Sequence, residues 1–131
     1  MPIEYLNPPT LHQHPSFTQA VKVTAGTALV FIGGQNGVNE TGAVVSDQVD
    51  DQTVRALRNV ELAVEAAGGT LSDIVKWTII VTDTASLGPG FAAFQQAWGD
   101  HPNPPAITVQ VVTALANPAF LVEIEAIAAL P

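Results

Sequence analysis

The sequence predicts an α+β protein in which two helices pack on one face of a mixed β-sheet. Segments that favour strands and helices follow one another in the order ββ-α-β-α-ββ, without the strict alternation of a parallel α/β fold. One segment repeats apolar residues at helical spacing, and another alternates apolar and polar residues like a half-buried strand. A length of 131 residues predicts a single domain over 1–131.

The first two predicted strands lie on either side of a short turn. They are FTQAVKV at 17–23 and ALVFIG at 28–33, separated by TAGT. The next segment, GGQNGVNETGAVV, contains Asn36-Gly37 and Thr41-Gly42, which predict turns with unusual backbone angles. FIGGQNG lacks the spacing and the lysine of a phosphate-binding loop, so we interpret it as a turn presenting N–H groups at a pocket edge.

The first helix is predicted from about Asp50 to Ala67, where Gly68-Gly69 supplies a stop. Arg55 and Arg58 fall off its apolar stripe and are expected to be solvated charges. The stripe repeats at intervals of three and four residues: Val54, Leu57, Val60, Val64 and Ala67.

The remaining elements complete the predicted sheet. DIVKWTIIVT at 73–82 alternates as a strand, with Val75, Trp77, Ile79 and Val81 on its apolar face. A second helix is predicted at about 89–99, with Phe91, Phe94 and Trp98 on one face, followed by strands at 106–113 and 121–129. The sheet face without helices would be free to pack against other copies of the chain.

Composition narrows the class of protein. The chain is 47% hydrophobic and 12% charged with a mean hydropathy of +0.30, so we expect apolar surface to be buried between subunits of a homo-oligomer. No run is long enough to span a bilayer and the N-terminus does not resemble a signal peptide, so we expect a soluble, cytoplasmic protein without a membrane partner. A net charge of −8 with four basic residues disfavours nucleic-acid binding. The absence of cysteine excludes disulfides and cysteine-based zinc sites.

Two groups of ionisable residues are candidates for chemistry. Glu123 and Glu125 share one face of the last strand, where a carboxylate could activate water in a cavity at a subunit interface. The two glutamates could instead bind Lys, Arg or backbone N–H groups, or face solvent. His12 and His14 form an H-x-H pair without a convincing third ligand, so a flexible, solvated pair is expected. His101, in a proline-flanked loop, is expected at the surface. No metal and no cofactor are expected.

Several motifs together resemble the YjgF/Rid (reactive-intermediate deaminase) family. They are FTQAVKV…LVFIGGQ at 17–35, TGAVV at 41–45, the segment at 51–83, PPAITVQV at 104–111 and LVEIEAIA at 121–128. The resemblance is collinear over nearly the whole chain. It implies a chorismate-mutase-like homotrimer with a ligand cleft between each pair of subunits. It also implies hydrolysis of enamines and imines, such as 2-aminoacrylate, to keto acids and ammonia.

The family pattern carries over only in part. Its C-terminal glutamate is retained as Glu123, but the arginine of its P-A-R-S/T-x-V motif matches Ile107. Its tyrosine and its small hydroxyl residue match Phe17 and Gly33. The resemblance therefore implies a cleft in which Glu123 is catalytic and five residues bind the substrate: Phe17, Gly33, Gly34, Ile107 and Thr108.

Loss of the arginine changes the expected substrate. A charge-assisted arginine clamp contributes roughly 1.5–3 kcal/mol, so a carboxylate substrate is disfavoured and a neutral or cationic molecule with an apolar body is expected. Lys22 or Arg55 could instead reach in as a remote cation. The protein would then be a divergent hydrolase, with backbone N–H groups near Gly33-Gly34 or Ile107 polarising the substrate, or a non-catalytic homotrimer that binds a metabolite or a protein partner. The net charge argues against RNA cleavage, an activity historically assigned to the family, and against chorismate mutase activity.

Overall fold

A computed structural model describes residues 2–99 and 103–131 of the chain. Two short 3₁₀ turns, Leu71–Asp73 and Thr84–Ser86, precede the fourth strand and the second helix. The strands and helices are β1 (Ile3–Leu6), β2 (Ala20–Val23), β3 (Ala28–Asn36), α1 (Val49–Ala66), β4 (Ile74–Val81), α2 (Leu87–Trp98), β5 (Ala106–Val111) and β6 (Val122–Leu130).

The main sheet has four strands in the order β3-β6-β4-β5. β6 is central and pairs antiparallel with both β3 and β4, whereas β5 pairs parallel with β4. The sheet is therefore mixed, as predicted. A parallel β4–β5 pair requires a crossover connection, and α2 supplies it.

The N-terminal strands form a separate two-stranded sheet. β2 pairs antiparallel with β1, and β1 was not predicted from the sequence. The strand predicted at 17–23 shortens to Ala20–Val23 and does not pair with the strand that follows TAGT. Thr18 hydrogen-bonds instead to the loop before β5, where its N–H donates to the Pro105 carbonyl at 2.9 Å.

Helix α1 matches its predicted span, but its buried stripe differs. Val54 is 54% exposed and Ala67 is exposed, so both assignments were wrong. Gly68 has φ +89° and ends the helix as predicted. The side chains that face the sheet are those of Gln52, Thr53, Ala56, Leu57, Val60 and Val64. Two of them are polar, which is why apolar periodicity alone misplaced the stripe.

Both helices cover the same face of the sheet, as predicted. Trp77 of β4 is fully buried and meets Phe94 and Trp98 of α2 edge-on, at ring-centroid distances of 5.3 and 5.7 Å. Phe91 is 47% exposed and does not join them, which corrects its assignment to the buried face of α2. In β6 the residues that face the helices are Val122, Ile124, Ala126 and Ala128, and all are buried.

In the described part of the chain, no helix covers the other face of the sheet. Phe31 of β3 is 74% exposed there and Leu29 is 48% exposed, and their cross-strand neighbours on β6 are Ile127 and Ala129. The described part of the chain contains no helix that is long and apolar enough to cross a membrane.

The glycines after β3 differ from the predicted turn chemistry at one position. Gly42 has φ +84°, as the Thr41-Gly42 turn requires. Gly37 does not have a positive φ, and the reason for glycine there is space. A Cβ atom at Gly37 would lie 2.5 Å from the Cα atom of Gln52, so α1 can approach β3 only if residue 37 has no side chain.

Candidate functional site

A β-bulge in β3 places the backbone of that strand next to the side chain of Glu123. The pairing of β3 with β6 shifts between Ile32 and Gln35, and Gly33-Gly34 occupies the irregular position. A Cβ atom at Gly34 would lie 2.6 Å from Oε2 of Glu123, whereas one at Gly33 would meet no atom within 4 Å. Gly34 therefore allows the Glu123 carboxylate to lie against the backbone of β3.

Glu123 is held by an amide and not by a cation. Nδ2 of Asn36 donates to Oε1 of Glu123 at 3.3 Å and to the Val122 carbonyl at 3.1 Å. None of the ion pairs within residues 2–99 and 103–131 includes Glu123, which is half-buried. The sequence left open that Glu123 forms a structural salt bridge with a cation. The described part of the chain contains no such salt bridge. The carboxylate retains lone pairs that can accept a proton from water.

Two side chains of α1 fix the strands on which this site is built, and neither was identified from the sequence. Nδ2 of Asn59 donates to the carbonyls of Asn36 and Val38, which anchors the end of β3. Gln52 is fully buried and makes three hydrogen bonds, two of which anchor the chain just before β6. Its amide donates to Ser46 O at 2.8 Å and Ala119 O at 3.0 Å, and accepts from Leu121 N at 2.9 Å.

The signal that could have identified Gln52 is its position. Gln52 lies four residues before Ala56 and thus on the buried stripe of α1. A buried amide at a position of this kind must be hydrogen-bonded, usually to backbone groups of a neighbouring segment.

Glu125 lies farther along the same open face of β6. Its cross-strand neighbour is Thr78, and both line an open depression of about 480 Å³ together with Phe31 and Lys76. Nζ of Lys76 donates to the hydroxyl of Thr108. Thr108 therefore lies on the open face of the sheet.

Ile107 lies on the opposite face of the sheet from Glu123. Its neighbour on β4 is Trp77, and Ile107 packs against the core beneath the helices. Strand side chains alternate between faces, so Ala106 and Thr108 point to the open side and Ile107 does not. Within one chain Ile107 and Glu123 thus lie on opposite faces of the sheet, and the expectation that both line a cleft between subunits stays a prediction.

The predicted site residues form two separate groups. Gly33, Gly34 and Glu123 cluster at β3 and β6, whereas Phe17 lies near the start of β5 because Thr18 binds Pro105. β5 is two strands away from β6, about 10 Å across the sheet. Along the strand direction, the start of β5 is level with Ile127 of β6. Ile127 is four residues, or about 13 Å, from Glu123 along β6. One chain does not bring the two groups together.

The alternative cations proposed from the sequence are already paired. Lys22 lies 4.0 Å from Glu4 across the β1–β2 ladder. Nε of Arg55 donates to the Val38 carbonyl at 2.9 Å, and its guanidinium lies 3.8 Å from Glu40. Neither has a described contact with Glu123.

The histidine pair forms part of a ring cluster. The rings of His12 and His14 are 6.2 Å apart, and His14 stacks on Phe17 at 5.1 Å. Nδ1 of His14 accepts a hydrogen bond from the Ser16 N–H at 3.0 Å. In the described ranges no group of three or more His, Cys, Asp or Glu residues is placed to hold a metal ion. His101, expected at the surface, lies outside the described residues.

Comparison with known proteins identifies the family. The family model described as Endoribonuclease L-PSP matches residues 10–130. A crystal structure of a Rid-family protein of unknown function, YyfB from Yersinia pestis, superposes with a TM-score of 0.87 over 99% of this chain and 100% of that one, at 30% identity. The chain belongs to the YjgF/Rid family.

Other family members carry more specific names. Reactive Intermediate Deaminase A of Arabidopsis thaliana is 35% identical over 118 residues, which are 87% of this chain and 58% of that protein. A RutC family protein of Pyrococcus horikoshii is 34% identical over 86% of this chain and 85% of that protein. The structure of Escherichia coli TdcF with bound serine has a TM-score of 0.73 and 32% identity, over 83% of this chain and 85% of that one. The α+β fold predicted from the sequence is thus confirmed as the Rid fold.

Proposed function

We propose that this Rid-family protein hydrolyses the carbon–nitrogen double bond of small imines, with Glu123 as the general base. The observation that carries the proposal is the setting of Glu123. Its carboxylate lies against the glycine bulge of β3, is oriented by Asn36 and has no cationic partner in the described part of the chain. The name of the Arabidopsis relative, a reactive intermediate deaminase, supports the same class of reaction.

The proposed chemistry needs only water. Glu123 accepts a proton from water as the oxygen adds to the imine carbon, and the protonated carboxyl gives that proton to the imine nitrogen, which completes a carbinolamine. The carboxylate then takes the proton of the carbinolamine hydroxyl and passes it to the nitrogen as the carbon–nitrogen bond breaks, so ammonia leaves and a carbonyl compound remains. Backbone N–H groups freed from the ladder at Gly33-Gly34 would orient the substrate, because a bulge leaves its extra residue unpaired. An enamine enters the same sequence after tautomerising to the imine.

The cleft in this proposal is formed by two subunits of a homotrimer. Glu123 and the Gly33-Gly34 bulge lie at one side of the sheet, and Phe17 and Thr108 lie near its other edge. A second copy can supply the missing half of each cleft. Phe31 and Leu29, exposed on the face without helices, support burial of this face between copies.

The proposed substrate carries no carboxylate. Lys22 and Arg55 were suggested from the sequence as replacements for the family arginine. Lys22 pairs with Glu4, whereas Arg55 pairs with Glu40 and donates to a backbone carbonyl. Lys76 lies on the face of Glu123, but its neighbour on β6 is Ile127, about 13 Å along the strand from Glu123. An anionic group next to Glu123 would lose its hydration without gaining a cation. The ligand is therefore a small neutral or cationic molecule, and nucleic acid is disfavoured by the charge of −8.

A comparison of two imines tests the proposal. Purified protein and its Glu123→Gln variant are given a neutral aliphatic imine and, separately, enzymatically generated 2-aminoacrylate, with ammonia release timed against spontaneous decay. We expect acceleration with the neutral imine that the variant lowers by about 10²-fold or more, since glutamine keeps the shape but cannot act as a base.

The other outcomes are equally informative. Acceleration of 2-aminoacrylate at least as strong as that of the neutral imine would refute the proposed substrate class. Binding without turnover of either imine would indicate the non-catalytic homotrimer. Sedimentation of wild-type protein as a monomer at assay concentration would refute the inter-subunit cleft.

A further inference from the structure

The side-chain amide of Asn36 has a fixed orientation beside Glu123. The two residues are directly opposite each other in the β3–β6 ladder, so their side chains lie on the same face of the sheet. Nδ2 of Asn36 lies 3.1 Å from the carbonyl oxygen of Val122 and 3.3 Å from Oε1 of Glu123. A carbonyl and a carboxylate can only accept hydrogen bonds, so a flipped amide would set oxygen against oxygen. The NH₂ group of Asn36 therefore faces both partners.

This orientation leaves the amide oxygen of Asn36 without a donor. An amide NH₂ group has two hydrogens, and the contacts with Val122 and Glu123 use both of them. No group within residues 2–99 and 103–131 donates a hydrogen bond to Oδ1 of Asn36. In the same ranges, the buried side-chain polar atom that lacks a partner is Nε1 of Trp77, so Oδ1 of Asn36 reaches solvent.

The position of this oxygen is set by the fold before a ligand arrives. Nδ2 of Asn59 on α1 donates to the backbone carbonyls of Asn36 and Val38, at 3.1 and 3.0 Å. The main chain of Asn36 is thus tied to α1, and its NH₂ group is tied to β6. An acceptor that is already immobilised loses little freedom on binding, so more of its interaction energy appears as affinity.

The side chains of Asn36 and Glu123 together offer a ligand acceptors and no donor. The carboxylate contributes its remaining lone pairs and the amide contributes Oδ1, whereas both amide hydrogens are already used. None of the described ion pairs includes Glu123. Acceptors next to an unpaired negative charge favour a positively charged donor over a neutral one. The net charge of −8 favours the approach of the same kind of ligand.

We propose that Asn36 is a specificity-determining residue of the Glu123 site, and that its Oδ1 accepts an N–H of a planar nitrogen cation. For the substrate this cation is the protonated imine, R₂C=NH₂⁺, which carries its charge on the N–H groups themselves. The inference rests on the proposed function and narrows its substrate class to imines that bind in the protonated form and lack a carboxylate.

The protonated imine fits the proposed chemistry. Water adds to the carbon while the Glu123 carboxylate accepts the water proton, and the electron pair of the double bond moves to nitrogen and cancels its charge. This step gives a neutral carbinolamine and a protonated Glu123. The carboxyl then protonates the amine, takes the hydroxyl proton as the carbon–nitrogen bond breaks, and gives that proton to the departing ammonia. Ammonium and a carbonyl compound leave, and the carboxylate is restored.

Four small probes test the inference by binding alone. Acetamidinium, acetamide and acetate share a planar shape and differ in charge and in N–H groups, and tetramethylammonium is a cation without an N–H. Each is titrated into the full chain and followed by NMR. We expect acetamidinium to bind about tenfold or more tighter than acetamide or acetate, and to shift the side-chain amide of Asn36. Equal affinities for acetamidinium and acetamide, tighter binding of acetate, or shifts confined to residues away from Asn36 and Glu123 would overturn the proposal.

The Asn36→Leu variant separates acceptance of an N–H from attraction of charge. Leucine keeps a branched side chain and removes Oδ1, and the Glu123 carboxylate attracts both cations in either protein. The ratio of acetamidinium to tetramethylammonium affinity should fall about fivefold or more in Asn36→Leu. The same ratio should not change in Gln96→Leu, which makes the matched substitution at an exposed position of α2. An unchanged ratio in Asn36→Leu would show that Asn36 acts only through Glu123 and would refute the proposal. If Asn36→Leu does not fold, the wild-type probe series decides.

Glu123→Gln distinguishes this inference from the proposed function. The variant should bind acetamidinium about tenfold or more weakly, because it removes the negative charge and keeps the shape. Hydrolysis of imines that depends on Glu123, together with equal binding of all four probes, would refute the inference alone. Selective binding of acetamidinium through Asn36 without hydrolysis of any imine would refute the proposed function and retain Asn36 as the acceptor for a nitrogen cation.

Discussion

Gly34→Ala should displace the Glu123 carboxylate while the fold stays intact. The added Cβ would lie 2.6 Å from Oε2 and 2.7 Å from Cδ of Glu123, whereas an ordinary contact requires about 3.5 Å. The carboxylate is the mobile end of a half-buried side chain, so it moves by about 1 Å in preference to the backbone. A displacement of about 1 Å at a catalytic group can lower a rate by about 10²-fold.

Stability should change little in this variant. The hydrogen bond from Asn36 to Glu123, 3.3 Å long, contributes about 0.5–1.5 kcal/mol. Replacing glycine by alanine at a position without positive φ restores about 0.4–1 kcal/mol through the unfolded chain. The net change in the free energy of unfolding should thus stay within about 1 kcal/mol.

Gly33→Ala is the matched control, because its Cβ would have no heavy atom within 4 Å. Both variants are compared by chemical denaturation and by the initial rate of imine hydrolysis. We expect similar unfolding midpoints for the two variants and about a hundredfold loss of activity for Gly34→Ala. Gly33→Ala leaves the Glu123 carboxylate in place, so a loss of activity in that variant would report on the substrate contact at the bulge and not on Glu123. Wild-type activity in Gly34→Ala would show that the position of the Glu123 carboxylate against β3 is irrelevant to turnover.

Three further predictions concern stability. Gln52→Leu should lower the free energy of unfolding by about 3 kcal/mol or more, because it leaves three backbone groups without their hydrogen-bond partner. Urea denaturation measures this loss, and a loss below about 1 kcal/mol would contradict the anchoring role of Gln52. Gly37→Ala should cost about 1–3 kcal/mol, since the new Cβ meets the backbone of α1, and an unchanged melting temperature would disprove the close approach. Burial, with a smaller contribution from Asp73, raises the pKa of Tyr5 above its ordinary value of 10.0. The unfolded chain then loses the Tyr5 proton at a lower pH than the folded chain, so stability should fall as pH rises through 10. Tyr5→Phe should lessen that fall in pH-dependent melting curves. An identical pH dependence in the variant would refute this contribution of Tyr5.

The accuracy of the sequence-based predictions depended on whether local pattern decides the structure. The span of α1 and the alternation of β4 and β6 were predicted because periodicity and helix-stop signals are local properties. The stripe of α1 was misplaced at Val54 because buried polar residues do not register as apolar periodicity. The pairing of β2 with β1 was missed because strand partners are chosen by tertiary contacts and not by the turn between neighbours.

The candidate site divides in the same way. The sequence identified Glu123 and Gly34 through motif resemblance, and the bulge places them in contact. It could not identify Asn36 as the partner of Glu123, since that contact joins positions far apart in the chain. The sequence could not show which face of the sheet carries Ile107, because the register of β5 against β4, which a one-residue shift reverses, is fixed only in the folded sheet.

By itself, the sequence determined the family, the α+β class, and an acidic chain with few cations and a retained glutamate. These follow from composition, periodicity and collinear motifs. Only the tertiary structure decided that Glu123 lies against Gly34 without a cation in its described surroundings, and that an apolar cavity opens beside Gly88 and Gly90 on the helix-covered face of the sheet. The physical reason is that contacts and empty volumes depend on how distant segments pack together, and a linear pattern constrains that packing only indirectly.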